Sequence, residues 1–297
     1  MELLNGDESK ERIDVWLCRR YSAYSRGYFQ RLIKGGQVTV NGKMPNAHYH
    51  VRPADRIELD LAVQPPRVIA EEHIPLDIVH EDDDIIVLNK PAGLVVHPAC
   101  GHPTGTLLNA LGGYAGGKFY PMLVHRLDKD TSGVMVVAKN ERAKNSLVRQ
   151  FQKRAVRKIY LVAVLGCVHE NKGLIEAPLG RSPEDRKKIV VGPLATKAAV
   201  TEFTVIRRAR DFSLLEVHPV TGRTHQIRSH MAYIGHPVLG DITYGGPGHI
   251  KHNEFRRQML HAYRIAFSHP STGKRVEFSA PPPDDVRETW KGTGHEY

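Results

Sequence analysis

Near the start of the chain, hydrophobic positions fall at helical spacing twice. Ile13, Trp16 and Leu17 share one face. Phe29, Leu32 and Ile33 repeat the pattern after Ser25, a residue suited to cap the second helix. Gly35-Gly36 ends that helix, Gln37 to Val40 has strand character, and Asn41-Gly42 is a strong tight-turn signal. Arg56 to Leu61 alternates as another strand. The pattern predicts a small helix–helix–strand–strand unit over residues 1–62. Val63-Gln64-Pro65-Pro66-Arg67 can sustain neither a helix nor a central strand, so residues 63–75 are expected to link it to a second domain, 76–297.

The second domain has a different texture. Asp84 to Leu88 and Gly133 to Ala138 are unbroken apolar runs of strand length. Asn140 can cap a helix that places Ala143, Leu147 and Phe151 on one face. Further strands are expected at Ile159 to Leu165, Val200 to Ile206, Ser213 to Val217, Leu260 to Phe267 and Arg275 to Phe278. A helix is expected over Arg223 to Ile234, with Ile227, Met231 and Ile234 facing one way. Strands outnumber helices and do not alternate with them. This predicts an α+β class: a helix-rich module, then a domain on a mixed, largely antiparallel sheet flanked by helices.

Composition narrows the possibilities. The 297 residues, 41% hydrophobic and 25% charged, are those of a folded globular protein of about two domains. Collagen-like, disordered and disulfide-framework classes are excluded. Forty-two Lys and Arg against 32 Asp and Glu give a net charge of +10, which favours a polyanionic partner, nucleic acid or an anionic membrane face. No apolar run approaches the roughly 20 residues that cross a bilayer, and the acidic N-terminus lacks the apolar core of a signal peptide. Cys18, Cys100 and Cys167 are scattered, as in a reducing cytosol, so a cytoplasmic protein is expected. His97, Cys100 and His102 cluster in a Gly/Pro loop without a fourth ligand. His225 and His230 are spaced onto different helix faces, and no metal site is expected.

The charge is also patterned. From Val15 to Ala54 there is no acidic residue, while Arg19, Arg20, Arg26, Arg31, Lys34, Lys43 and Arg52 fall within that stretch. One-sign charge on two short helices and a turn predicts a phosphate-facing surface. A second basic stretch, Arg142 to Lys158, is opposed only by Glu141. The candidate chemistry lies between the two, in His125-Arg126-Leu127-Asp128-Lys129-Asp130-Thr131-Ser132-Gly133. Asp128 can project from a loop into a cleft. Basic residues, hydroxyls and a glycine that permits close backbone approach surround it.

Two resemblances attach to these residues. Arg12-Ile13-Asp14-Val15-Trp16-Leu17, Ser25-Arg26, Ile33 to Gly42, and Val51 through Ile57 resemble the small RNA-binding module named after a small-subunit ribosomal protein, the S-four module. One departure is Pro53-Ala54-Asp55, where that family usually has Gly before the Asp. The segment holding Asp128 is similar to the catalytic motif of the RluA-type pseudouridine synthases. Asn89 to Pro98, Lys158-Ile159-Tyr160, His218 to Arg228, Leu260-His261-Ala262 and Phe267 to Gly273 match further motifs of that family in order.

The resemblance implies isomerisation of uridine to pseudouridine within RNA. Module and catalytic domain together are similar to the family's enzymes for large-subunit ribosomal RNA, so ribosomal RNA is the implied partner. Substrate and product are isomers, and no Gly-rich phosphate loop or dinucleotide fingerprint is present, so no cofactor and no nucleotide are expected. A monomer is expected. By the same carry-over, Asp128 is the catalytic carboxylate, either as nucleophile or as the base that takes the proton of the sugar's carbon-2. Arg223 is implied to pair with that carboxylate and keep it ionised. Tyr160 is implied to stack on the target base, and Arg126 to enter the RNA stack the base has left. His125 and Arg228 are expected substrate contacts. Arg19, Arg20, Arg26, Arg31, Lys34 and Lys43 are expected to bind RNA. Two other readings stay open: an RNA-binding protein of this ancestry without catalysis, and the same reaction on tRNA.

Overall fold

The computed structural model describes residues 2–4, 11–21, 26–46, 48–60, 70–98, 102–185, 188–192, 195–251 and 253–291. The proposed cap Ser25, the Cys100 of the thiol–imidazole cluster and the proline pair at 65–66 lie outside them. The chain divides into two compact units, 1–68 and 69–297.

In the first unit, β1 (Glu2–Leu4), α1 (Ile13–Arg20), α2 (Arg26–Lys34), β2 (Val38–Val40) and β3 (Arg56–Leu59) follow in order, with an antiparallel sheet β1-β3-β2. The helical faces read from the sequence form its core: Ile13, Trp16, Leu17, Phe29, Leu32 and Ile33 are buried with Val38, Val40, Val51, Ile57 and Leu59. Asn41 and Gly42 both take positive φ, as a two-residue hairpin turn requires. Asp14 is fully buried and accepts hydrogen bonds from Arg12, Arg26 and Gln30. Burial alone would raise its carboxyl. Those donors outweigh burial and hold it down at about 2.

The second unit begins within the segment expected to be a linker. Ala70 O accepts from Asn109 Nδ2 (2.8 Å), and the Glu72 carboxylate accepts from Gly105 N (3.0 Å). Residues 70–74 therefore belong to the second unit. They dock on a helix the sequence pattern does not reveal, α3 (Leu107–Ala115), capped reciprocally by Thr106 and Asn109. Its Gly112-Gly113 interior hides it. Gly113 is needed because a Cβ there would lie 2.4 Å from Glu72 O.

In chain order the second unit has β4 (Asp77–Glu81) and β5 (Ile85–Lys90) before α3, then β6 (Met122–Leu123), β7 (Ser132–Ala138), α4 (Glu141–Gln152), β8 (Arg157–Leu165), β9 (Lys172–Glu176), β10 (Leu179–Arg181) and β11 (Ile189–Val191). Then come β12 (Val200–Arg208), β13 (Phe212–Pro219), α5 (Gln226–Tyr233), a short 3-10 turn (Ile242–Tyr244), β14 (His249–Ile250), β15 (Asn253–Glu254), β16 (Leu260–Ser268), β17 (Arg275–Ser279) and α6 (Asp284–Trp290). The main sheet has the order β4-β5-β7-β16-β8-β13-β12-β9, with β17 also on β16 and β6 also on β7. Every pairing in it is antiparallel except β7 with β16, so the sheet is mixed and largely antiparallel, as expected.

Side-chain alternation explains why the strands read as continuous apolar runs. On β8, Val162 and Val164 pack with Ile227 and Met231 of α5, while Leu161 and Ala163 pack with Val286 and Trp290 of α6. Both faces are covered, so both sets of positions are apolar. At the parallel junction Gly133 takes φ 120°, and a Cβ on it would lie 2.2 Å from Ala262 O. That glycine lets β7 and β16 meet, and it fixes the loop that precedes β7.

Ala54 takes φ 66° in the turn Arg52-Pro53-Ala54-Asp55, closed by Asp55 N donating to Arg52 O. Proline suits the second position of such a turn, and the third favours glycine. Ala54→Gly is expected to stabilise the protein by about 0.5–1 kcal/mol, net of glycine's greater chain entropy. Urea denaturation with an unchanged m-value checks it.

Candidate active site

A cleft of about 550 Å³ opens in the second unit. Its walls come from the loop 124–131 between β6 and β7, the end of α4, the start of β8, and the turn 219–228 that joins β13 to α5. Backbone contacts around Asp128 make that loop rigid. Thr131 N donates to Asp128 O, and Gly93 N donates to Lys129 O. The fully buried Lys90 gives its ammonium to the carbonyls of Pro91, Leu94 and Lys129, and Arg257 Nη1 donates to Asp130 O. Burial pushes Lys90 down to about 8.

Asp128 reaches the cleft with its side chain 17% exposed. Its partner is Arg228, whose Nη1 donates to Asp128 Oδ2 at 3.2 Å. Arg228 projects from the first turn of α5 and is itself pinned. Nε and Nη2 donate to the two oxygens of buried Asp241 at 2.6 and 2.8 Å, and the Tyr244 ring lies 5.0 Å from the guanidinium carbon. Burial opposes its charge, but the two carboxylates outweigh burial and push its pKa up. A guanidinium held along one edge can offer the other edge to Asp128 in only one orientation.

His225 completes this group. It is left-handed (φ 52°), and the chain turns there into α5. Tyr244 Oη accepts from Ile189 N (2.9 Å) and also shares a hydrogen bond with His225 Nδ1 (2.9 Å). Nε2 faces Asp128 Oδ2 at 3.9 Å. Burial lowers the pKa of His225 against the opposing charge of Asp128, which favours the neutral ring.

The expected site residues are largely brought together: Asp128, Tyr160, Arg126, His125, Arg223 and Arg228 all line the cleft. One expectation is corrected. Arg223 does not pair with Asp128; it precedes α5, its Nε donates to Ala198 O (3.1 Å), and it sits at the exposed side of the cleft. The pairing role belongs to Arg228, assigned from the sequence only as a substrate contact. His125 is also less free than expected. Its Nε2 accepts from Val136 N (3.0 Å), its ring stacks on Phe151, and burial, then the nearby Lys158 charge, push it down to about 3. It shapes the cleft as a neutral ring. Tyr160 is half-buried on β8, its hydroxyl pushed up in pKa by burial and by Asp128. Arg126 is exposed at the cleft.

Asp241 and Tyr244 were missed. Their only sequence signal is an acid and an aromatic inside a loop framed by Gly240 and Gly245-Gly246. Gly240 is confined because a Cβ there would lie 1.9 Å from Arg257 O.

In the first unit, Arg20, Lys34 and Lys43 are exposed, and Arg20 stacks over Trp16. Arg26 and Arg19 are tied to acids just outside the basic stretch: Arg26 Nε to Asp14 at 2.8 Å and Arg19 Nε to Glu11 at 3.5 Å. The Arg31 side chain lies outside the described part of the structure.

Among the described residues, Asp82, Asp84 and His269 could converge on a metal ion. Their carboxylates are already engaged: Asp82 with His80, His269 and the amides of Asp84 and Ile85, and Asp84 with Asn140, Arg142 and Ser271. None of the three lines the cleft. No helix among the described residues is long and apolar enough to cross a membrane.

A carboxylate oriented by a guanidinium stands beside an aromatic ring in a cationic cleft, an arrangement suited to chemistry on a base of a nucleic acid. Comparison with known proteins agrees. Residues 84–233 match the RNA pseudouridylate synthase family, and residues 11–57 match the S4 domain. An uncharacterized RNA pseudouridine synthase of Bacillus subtilis is 43% identical over 288 residues, covering 95% of this chain and 94% of its own. The ribosomal large subunit pseudouridine synthase D of Haemophilus influenzae is 40% identical, covering 95% and 91%. The structure of human RNA pseudouridylate synthase domain containing 1 superposes with a TM-score of 0.58 at 30% identity, over 74% of this chain and 86% of that one. The chain belongs to the RluA-type RNA pseudouridine synthases, isomerases that act on RNA, and carries an S4 domain at its N-terminal end.

Removing Arg228 leaves Asp241 buried without its counter-charge. Arg228→Ala is expected to cost roughly 3–5 kcal/mol, whereas Arg223→Ala should stay within about 0.5 kcal/mol. Parallel urea titrations of the two variants measure the difference.

Proposed function

We propose that this enzyme isomerises specific uridines of large-subunit ribosomal RNA to pseudouridine, with Asp128 as the catalytic carboxylate. The observation that carries the reading is the Arg228 guanidinium locked between Asp241 and Asp128 in a cleft that also presents Tyr160. Uracil must leave the sugar nitrogen-first, turn, and return through carbon-5. Asp128 can serve either as nucleophile or as the base that takes the carbon-2 proton of the sugar. Arg228 keeps it aimed. The Tyr160 ring offers a face on which a flipped uracil can turn, and Arg126 is exposed where a planar cation could fill the vacated stack.

Ribosomal RNA as the target is supported by the S4 domain and by relatives named ribosomal large subunit pseudouridine synthase D. A tRNA target would use the same cleft. The exposed cations of the first unit are read as phosphate contacts, and the reading includes cytoplasmic action as a monomer without a nucleotide cofactor.

Asp128→Asn is expected to abolish pseudouridine formation on ribosomal RNA fragments while RNA affinity stays within about threefold. Pseudouridine mapping in ribosomal RNA and tRNA, from cells with and without the gene, tests the target. Marks lost only from tRNA would refute the ribosomal assignment. Reversing both Lys34 and Lys43 to Glu should weaken RNA binding and reduce the slope of log affinity against log salt by about 2, since each lost phosphate contact removes about one unit. Binding titrations across salt concentrations read that slope.

A further inference from the structure

The cleft contains a cation that the reading above leaves without a task. Lys158 stands two residues before Tyr160 on β8, so both side chains lie on one face of the sheet, and both line the cleft. An ammonium carries three donors. The one hydrogen bond described for Nζ is a long one, 3.4 Å to Thr221 O, and no carboxylate among the described residues lies within ion-pair distance of it. The ammonium sits against the turn that follows β13, where a Cβ on Gly222 would lie 3.8 Å from Nζ. An unpaired cation in a half-buried wall costs stability, and such costs are kept where a site uses them. The other cations of the cleft are differently placed. Arg228 is spent on two carboxylates, and Arg126, Arg154 and Arg223 lie towards solvent.

Resting on the isomerase reading, the geometry points to Lys158 as a catalytic residue that donates to a carbonyl oxygen of the flipped uracil and stabilises the charge the base gains on leaving. When the bond between the sugar's carbon-1 and the base's nitrogen-1 breaks, its electron pair goes with the base. The negative charge spreads onto the two carbonyl oxygens. Carbon-5 then bonds to carbon-1 of the sugar and gives up its proton, and nitrogen-1 takes one, so the product is an isomer. Lys158 stays protonated throughout. A preorganised donor that meets charge only as it develops lowers the barrier without tightening substrate binding.

The charged and titratable groups that share the cleft with Lys158 are His125, Arg126, Asp128, Arg154, Tyr160, Arg223, His225 and Arg228, with Asp128 already bound to Arg228. Burial holds both histidines neutral and moves the tyrosine up, away from neutrality. Burial also brings Lys158 itself down to about 8. The ammonium is the working form, so the rate should fall as pH rises through that value.

Single-turnover kinetics on an RNA with uridine or 5-fluorouridine at the target, followed as loss of the nitrogen-linked nucleotide, tests the assignment. Fluorine makes the departing base a weaker base that needs less help. Lys158→Met is expected to slow the uridine substrate by about 100-fold or more, as removal of an oxyanion donor does. RNA affinity should stay within about threefold, and the deficit on 5-fluorouridine should be at least about tenfold smaller. The variant's melting temperature should equal or exceed that of the wild type, because an unpaired charge has been removed. Equal deficits on the two substrates, a defect in affinity alone, or a lowered melting temperature would overturn the role of Lys158. A wild-type enzyme that converts neither substrate would instead sink the isomerase reading on which it rests.

Discussion

One guanidinium shared by two carboxylates organises this site. Asp241 grips Arg228 along one edge in a nearly solvent-free setting, and the edge that remains meets Asp128. Taken alone, either ion pair would be a poor source of stability, since desolvation consumes most of the attraction. Together they do something packing cannot. They tie a loop, a helix and the turn after that helix to one direction in space. The loop is independently anchored by Lys90 and Arg257 through its backbone carbonyls, so Asp128 does not have to move to find its partner. The energy of the arrangement is spent on orientation, which is what a carboxylate in either of its two possible roles requires.

That anchor was only half legible in the sequence. Helical and strand periodicity located the frame of both units. The apolar runs at β5, β7 and β8 stood out because their strands are covered on both faces. Gly133 was legible as a close approach because it closes a segment dense in charged and hydroxyl side chains around Asp128. The pairing arginine was not. Arg223 and Arg228 sit in one motif, and the choice between them depends on where α5 begins. His225 takes a left-handed conformation, the helix starts at Gln226, and position 228 is thereby carried into the first turn and inward. Nothing in local periodicity announces a left-handed histidine. Asp241 and Tyr244 were invisible for a related reason: they act on Arg228 through a fold-back over a glycine-framed turn, which is a tertiary fact.

The charge pattern of the first unit carries a similar lesson. The stretch without acids was read as a uniform phosphate-facing surface. In the folded unit, Glu11 and Asp14, just before that stretch, return to Arg19 and Arg26. The Asp14 carboxylate is buried and low in pKa, so Arg26 has a structural tie in the free protein. A run of one sign along the chain is thus not a run of equally available cations. Lys34 and Lys43 are exposed, at the end of α2 and beyond the β2 turn.

The cleft shows the opposite imbalance. Among the described residues, Arg126, Arg154, Lys158, Arg223 and Arg228 line it, against the one carboxylate of Asp128. A cleft with that excess of positive charge is complementary to a polyanion. The excess also has a gradient. Arg126, Arg154 and Arg223 face solvent, where they can meet phosphates, whereas Arg228 is neutralised by its acids and Lys158 is half-buried beside the aromatic ring. Phosphate contacts at the mouth can hold the strand while the base, once everted, passes beyond them to groups that matter only during bond breaking. Binding and chemistry would then be carried by different cations, so substitutions at the rim and at the floor should separate affinity from rate.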